Sequence, residues 1–269
     1  MANPLGICGL CHEHRVLRES HLLPAAVYKL SRETDRRNPN PVVVRPTGAG
    51  TTSRQVSDHF LCADCEERFS RNGERYVLGQ CARPGGQFAL RELLGAASVV
   101  CGDAGFRVCE VTGVLGGNVE QYLYFAVSVF WRAAARRWTL EGRPINRISL
   151  GNMYQEQFRL YLLGQAAWPP KARLFVHVWS DEPVDLTTVF PCSTRVELAR
   201  RHKFCIPGIL FILFLGGTVP RMHDSGALNS AVGRFMWLCR WRNDSLFGGF
   251  DRLIRTAIRA KRGVSLRKR

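Results

Sequence analysis

Cys8-Gly-Leu-Cys11 and Cys62-Ala-Asp-Cys65 are two CxxC pairs. Each pair puts two thiolates on one tight turn, and two such knuckles complete a tetrahedral Cys₄ site for Zn²⁺. The competing reading is redox or incidental thiols. A thioredoxin-like CxxC, however, follows a strand in a βαβ pattern and needs no second pair. A structural zinc is therefore expected on Cys8, Cys11, Cys62 and Cys65. The other six cysteines, Cys81, Cys101, Cys109, Cys192, Cys205 and Cys239, have no paired spacing and are expected to be small buried hydrophobes. His12 and His14 follow Cys11 closely, but four thiolates already satisfy zinc, so both are expected on the surface.

About fifty residues separate Cys11 from Cys62, against roughly 15–20 in a plain zinc ribbon, so the intervening chain is expected to carry something useful. It contains Leu17-Arg-Glu-Ser-His-Leu-Leu-Pro24, then a helix-prone stretch at 25–30 and a loop rich in Pro, Asn, Gly and Thr. The chain returns through Val56-Ser-Asp-His-Phe-Leu61 into the second knuckle and a helix opening at Cys65-Glu66-Glu67-Arg68-Phe69.

These residues resemble the zinc-stapled HNH, or ββα-metal, endonucleases. The family pattern is CxxC, an (Asp/Glu/His)-His-Ile-x-Pro segment, then Leu-Cys-x-x-Cys-(Asn/His). Here the matching residues are Cys8 and Cys11, Ser20-His21-Leu22-Leu23-Pro24, and Leu61-Cys62-Ala63-Asp64-Cys65-Glu66. The likeness spans about residues 5–80 and is closest to a bacterial variant with Ser-His-x-x-Pro and Leu-Cys-x-x-Cys-Glu. It implies a treble-clef zinc fold and hydrolysis of phosphodiester bonds. His21 would be the general base that deprotonates water, and the residue at Glu66 would hold a catalytic divalent ion, Mg²⁺ or Mn²⁺. Glu66 stands where the family has Asn or His, and a carboxylate is a hard oxygen ligand suited to Mg²⁺. Ser20 stands where the family has a second ligand, and a serine is a poor one. Glu19, Asp58 and His59 are each candidates to replace it. His59 is alternatively a surface histidine near the site, and His21 alternatively a hydrogen-bonded structural histidine at a strand end. A role in bacterial defence or mobile-element biology rests on the resemblance alone.

The chain has 269 residues, which at about 150 per domain suggests one to two domains. A chain that is 46% hydrophobic and 22% charged excludes wholesale disorder. The net charge of +16 points to a polyanionic partner, with nucleic acid ahead of an anionic membrane and DNA ahead of RNA. The excess is uneven. Residues 1–80 carry 11 basic and 9 acidic groups, whereas 234–269 carry 11 and 2. In 247–261 the residues Phe250, Leu253, Ile254, Ala257 and Ile258 recur at helical spacing, with Arg252, Arg255, Arg259 and Lys261 on the other face. Together with Arg262 these form the candidate stretch for gripping a phosphate backbone. A solvated helix face is the plainer alternative. Arg200-Arg201-His202-Lys203 reads as a weaker loop cluster. Trp237, Trp241 and Phe247, interleaved with Arg240 and Arg242, could stack on unpaired bases, but core aromatics at helical spacing are the favoured reading.

The elements that must position these groups are partly legible. Residues 120–138 are apolar nearly all round, which suits a helix buried on most sides. A second helix is expected over 153–165, and strands over 173–179, 187–190 and 209–215. The apolar run 204–215 is too short for a transmembrane helix and reads as a buried strand. With no signal-peptide pattern at the N-terminus, a soluble cytoplasmic protein is expected. The fold class is α+β: a Cys₄ zinc module over 1–80, then a mixed α+β domain over 81–269 with a basic C-terminal helix. Two further readings stand beside the nuclease. One is a zinc module that binds nucleic acid without catalysis; the other is a subunit of an assembly, with a protein partner or a second copy of itself.

Overall fold

Strands β1 (Leu5–Ile7) and β2 (His14–His21) form an antiparallel hairpin, with Leu5 opposite Val16 and Ile7 opposite His14. Helix α1 (Ala25–Leu30) follows, where a helix was expected, and then the two-stranded ribbon of β3 (Val42–Arg45) and β4 (Gly48–Thr51). Strand β5 (Ser57–Cys62) returns to pair with β2, completing a sheet of order β1-β2-β5. The chain then runs without a break through α2 (Ala63–Phe69), a π-helical turn (Ser70–Glu74) and α3 (Arg75–Gly79). The computed structural model describes residues 3–32, 42–45, 48–51, 53–145, 148–180, 188–196, 199–216 and 226–240. The expected basic helix at 247–261, with Trp241 and Phe247, lies outside these residues.

The rest of the chain builds a seven-stranded sheet with one helix packed on its face. In chain order come α4 (Ala89–Gly95), β6 (Ser98–Gly102), β7 (Phe106–Glu110), α5 (Thr112–Leu115), α6 (Val119–Ala135) and a short ribbon of β8 (Thr139–Leu140) and β9 (Arg143–Pro144). Then come α7 (Asn152–Leu163), β10 (Ala172–Trp179), β11 (Val189–Val196), β12 (Ala199–Ile206), β13 (Ile209–Leu215) and β14 (Phe235–Cys239). The strand order is β11-β12-β13-β10-β14-β7-β6, with β14 parallel to β10 and the other neighbours antiparallel. The protein is thus mixed α+β.

Helix α6 is apolar all round because it is covered on both sides. On one side Phe125 meets Phe204 and Phe211 at 6.1 and 5.5 Å between ring centroids, and Phe130 meets Phe204 at 4.9 Å. On the other, Trp131 stacks on Phe60 of β5 at 5.6 Å and meets Phe69 of α2 edge-on at 6.3 Å. One buried cluster accordingly runs from Cys8 to Leu238, through residues on both sides of position 80. A second cluster, including Phe175, Trp179, Leu210, Ile212 and Phe214, forms on the sheet face away from α6.

Several expectations change here. The apolar run 204–215 is not one strand: Pro207-Gly208 turns it into the β12–β13 hairpin, with Ile206 opposite Ile209. Trp237 lies on β14, not a helix, and is partly buried against the second cluster on the sheet face away from α6. Arg200-Arg201-His202-Lys203 is part of β12, with His202 and Lys203 buried, because the apolar ends of the strand carry the middle into the sheet. Cys101 is exposed, since β6 is an edge strand, while Cys81, Cys109, Cys205 and Cys239 are buried as expected. Among the described residues no helix is long and apolar enough to cross a membrane.

The buried His202 yields a pH prediction. Its Nδ1 lies 2.7 Å from the Ser193 hydroxyl, and burial, with help from Arg200, pulls its pKa from 6.5 down to about 4. The unfolded chain therefore takes up the proton first, so the stability is full above about pH 6.5 and is lost as pH falls towards about 4. The shift corresponds to about 3 kcal/mol. Urea unfolding at pH 7 and pH 4.5 should show His202→Phe losing about 2 kcal/mol less than the parent, since pH 4.5 is still above the folded value of about 4. Equal losses in both proteins would remove His202 from the account.

Candidate metal centre and the His21 cluster

The first knuckle is the tight link between β1 and β2. The Cys8 N–H donates to the Glu13 carbonyl at 2.9 Å, the His12 N–H donates to the Cys8 carbonyl at 3.0 Å, and His12 takes a left-handed φ of 63°. Gly9 donates its N–H to the Phe60 carbonyl at 3.0 Å, and a Cβ there would lie 2.0 Å from the Phe60 ring. Only glycine lets the knuckle approach β5 this closely. Arg159 of α7 donates from Nη1 to the Leu10 carbonyl at 2.8 Å and holds the turn from outside. The second knuckle is the junction of β5 and α2: Cys62 ends the strand opposite Leu17, and Cys65 returns in the first helical turn.

These two turns bring Cys8, Cys11, Cys62 and Cys65 together with all ligand atoms within 4.8 Å of one another, and Cys11 Sγ is 4.0 Å from Cys62 Sγ. Four sulfurs at about 2.3 Å from one ion stand about 3.8 Å apart, so the group fits zinc. Electrostatics support the fit. As bare thiols the group opposes its own ionisation. A hydrogen bond from Cys65 draws Cys8 down to about 4, burial lifts Cys11 to about 11, and Cys65 is raised by the same bond to Cys8 and by burial. A divalent ion removes that conflict by stabilising all four thiolates. Among the described residues this is the only group of three or more His, Cys, Asp or Glu side chains close enough to hold a metal. His12 and His14 are exposed, as expected.

Ser20 is fully buried, with a structural task. The β2–β5 ladder shifts register between Arg18, opposite Leu61, and Glu19, opposite His59, which leaves an extra residue at Phe60. The Leu61 N–H that this bulge displaces donates instead to the Ser20 hydroxyl at 3.0 Å. The other candidates for a second ligand are engaged or apart. Asp58 accepts from Nε and Nη2 of Arg136 at 2.8 and 2.6 Å, and Glu19 accepts from the Ser57 hydroxyl at 2.7 Å. His59 is exposed on β5.

His21, at the end of β2, is half-buried beside Tyr28, with ring centroids 6.4 Å apart. Burial holds its pKa below 6.5; the Arg132 guanidinium adds to the shift, and Glu19 and Glu74 oppose it. Its ring is therefore a neutral base near pH 7. Glu74 in turn is raised, because burial outweighs the Arg132 charge beside it and Glu66 adds like-charge repulsion. His21, Glu66 and Glu74 thus share one electrostatic neighbourhood. The Oε1 atoms of Glu66 and of Gln55, whose side chain acts on the His21 ring, are buried without a hydrogen-bond partner.

Glu74, Gln55 and Arg132 escape sequence reasoning. Arg132 had a signal: it is the lone charge within the apolar stretch 121–135, and a charge there calls for a buried partner. Glu74 and Gln55 had none. Arg252, Arg255, Arg259, Lys261 and Arg262 lie outside the described residues. Comparisons of the chain with protein-family models, with curated proteins and with solved structures find no match.

Proposed function

We propose that the protein is a metal-dependent endonuclease of the ββα-metal kind that hydrolyses phosphodiester bonds of nucleic acid, with DNA favoured over RNA. The observation that carries this reading is the succession of β2, ending in His21, its partner β5, and the helix bearing Glu66, with the Cys₄ group binding the two knuckles together. Knuckle, strand and helix in this order are what a zinc treble clef requires. The neutral imidazole of His21 accepts a proton from water as the water oxygen bonds to phosphorus and the bond to the leaving sugar oxygen breaks. Glu66, with its unpartnered Oε1, would hold a Mg²⁺ or Mn²⁺ ion together with water and substrate phosphate oxygens, as is usual for Mg²⁺. Such an ion supplies charge stabilisation at the leaving oxygen. Arg252, Arg255, Arg259, Lys261 and Arg262 would grip the backbone of the substrate.

A second reading, a zinc module that binds nucleic acid without cutting it, is favoured by the commitment of Ser20 to the Leu61 N–H. One experiment separates the two. The purified zinc-loaded protein should cut DNA with Mg²⁺ or Mn²⁺, and His21→Ala should slow cleavage by about 10²–10⁴-fold while keeping its zinc and its melting midpoint. Because burial lowers the His21 pKa, the acid limb of the rate profile should lie below pH 6.5, with activity rising as pH increases through it. Equal cleavage by parent and variant would sink the nuclease reading. In that case, salt-sensitive DNA binding that weakens on removal of 252–269 would support the binding module.

A further inference from the structure

The helix from Ala63 to Gly79 carries one surplus residue, and its position matters. In an uninterrupted α-helix, residues eight apart sit about 80° apart around the axis. The π turn at Ser70–Glu74 absorbs one residue, so eight residues turn about as far as seven do elsewhere. Glu66 and Glu74 then fall within about 20° of one another, on one face two turns apart. Gly73, within the π turn, lies close against α6: a Cβ there would lie 2.9 Å from both the Gln121 carbonyl oxygen and the Phe125 nitrogen. Gln121, Phe125, Ser128 and Arg132 follow each other at spacings of four, three and four, a single stripe of α6. That stripe delivers Arg132, only 1% exposed, to the end of β2.

The Arg132 guanidinium bridges the two segments that carry the candidate site. Nη1 donates to the His21 carbonyl at 2.9 Å, and Nη2 donates to Glu74 Oε1 at 2.8 Å. Nε and Nη2 also bond the Ser128 carbonyl and hydroxyl at 3.3 and 3.4 Å, and the guanidinium carbon lies 5.2 Å from the Phe69 ring centroid. A buried ion pair is a poor source of net stability compared with apolar residues of the same volume, so a role in geometry accounts better for its presence in an otherwise uncharged stripe. We infer that Arg132 and Glu74 are positioning residues, which fix the His21 end of β2 against the helix face that carries Glu66. The inference rests on the nuclease reading for its consequence in catalysis, and on the contacts of Arg132 for its geometry.

The test uses the full zinc-loaded chain with Arg132→Lys and Glu74→Gln, milder than truncation to alanine. A lysine keeps the charge but has no fork to span both acceptors, and a glutamine keeps the shape without the charge. The Leu22 N–H, which donates to the Val56 carbonyl at 3.0 Å beside His21, reports the strand end by hydrogen exchange. Both variants should retain one zinc per chain, exchange Leu22 about tenfold faster, and lose about 10–100-fold in kcat with KM for DNA within about twofold, as expected for misplacement of a reacting group. The double variant should be no worse than the poorer single one, because the two residues act as one unit. Parental exchange at Leu22, or a raised KM at unchanged kcat, overturns the proposal. If the parent itself cuts no DNA, the nuclease reading falls separately. The exchange rate at Leu22 then decides whether the pair positions the strand end.

Discussion

Stripping the metal from the Cys₄ group should lower the melting midpoint by on the order of 10 °C, since each 1 kcal/mol moves the midpoint of a chain this long by about 2–4 °C and structural zinc contributes many times that in isolated modules. The effect is large because the four ligands come from two turns 51 positions apart, Cys11 and Cys62 being the inner pair. Without the ion, Cys8 is drawn down while burial and the neighbouring thiols hold Cys11 and Cys65 up. Cys8, Cys62 and Cys65 are also buried members of the main core, so the loss reaches beyond the knuckles. Metal analysis should find one zinc per chain, and Cys65→Ser should reproduce the effect of a chelator. Cys101→Ser, at an exposed edge-strand position, is the control and should change nothing. A Cys65→Ser protein that melts like the parent would remove the structural role of the site.

Arg132→Ala should cost about 3–5 kcal/mol, because it leaves Glu74 buried without its counter-charge. Glu74 is only 14% exposed at its side chain, and its carboxyl is already raised with the guanidinium in place. The His21 and Ser128 carbonyls would also lose a donor. Arg132→Met combined with Glu74→Gln should recover much of the loss, since the lone charge is the greater penalty. Urea midpoints of the parent, Arg132→Met, Glu74→Gln and the double variant check this through the coupling energy of the cycle. A coupling near zero would mean that the pair is incidental to the fold.

What could be read from the sequence was what depends on neighbours along the chain. Two CxxC pairs name four cysteines fit for a zinc site because two residues between cysteines is the length of a knuckle, whatever surrounds it. The stretch 120–138 announced a helix buried on most sides because apolar residues occupy every helical face, and α6 is Val119–Ala135. The same local logic marked α7 at Asn152–Leu163 and β13 at Ile209–Leu215. Edges were less legible: a strand expected at 187–190 is β11, Val189–Val196, because its pairing with β12 sets its length.

What only tertiary structure decided lies wherever two distant segments set each other's register. Ser20 stands at a ligand position of a motif, yet a bulge on β5, 41 positions away, turns its hydroxyl to the Leu61 N–H. Spacing in the chain cannot reveal such a bulge, because it is a mismatch between two strands. Glu74 joins His21 and Glu66 only through a π turn whose close contact is with α6, and Arg132 reaches His21 from 111 positions away. The sequence by itself determined the four cysteines that could hold a metal and the principal apolar elements. The packing of α6 between two sheets decided which charged groups meet beside His21, because buried charges go where a partner and a donor are both within reach.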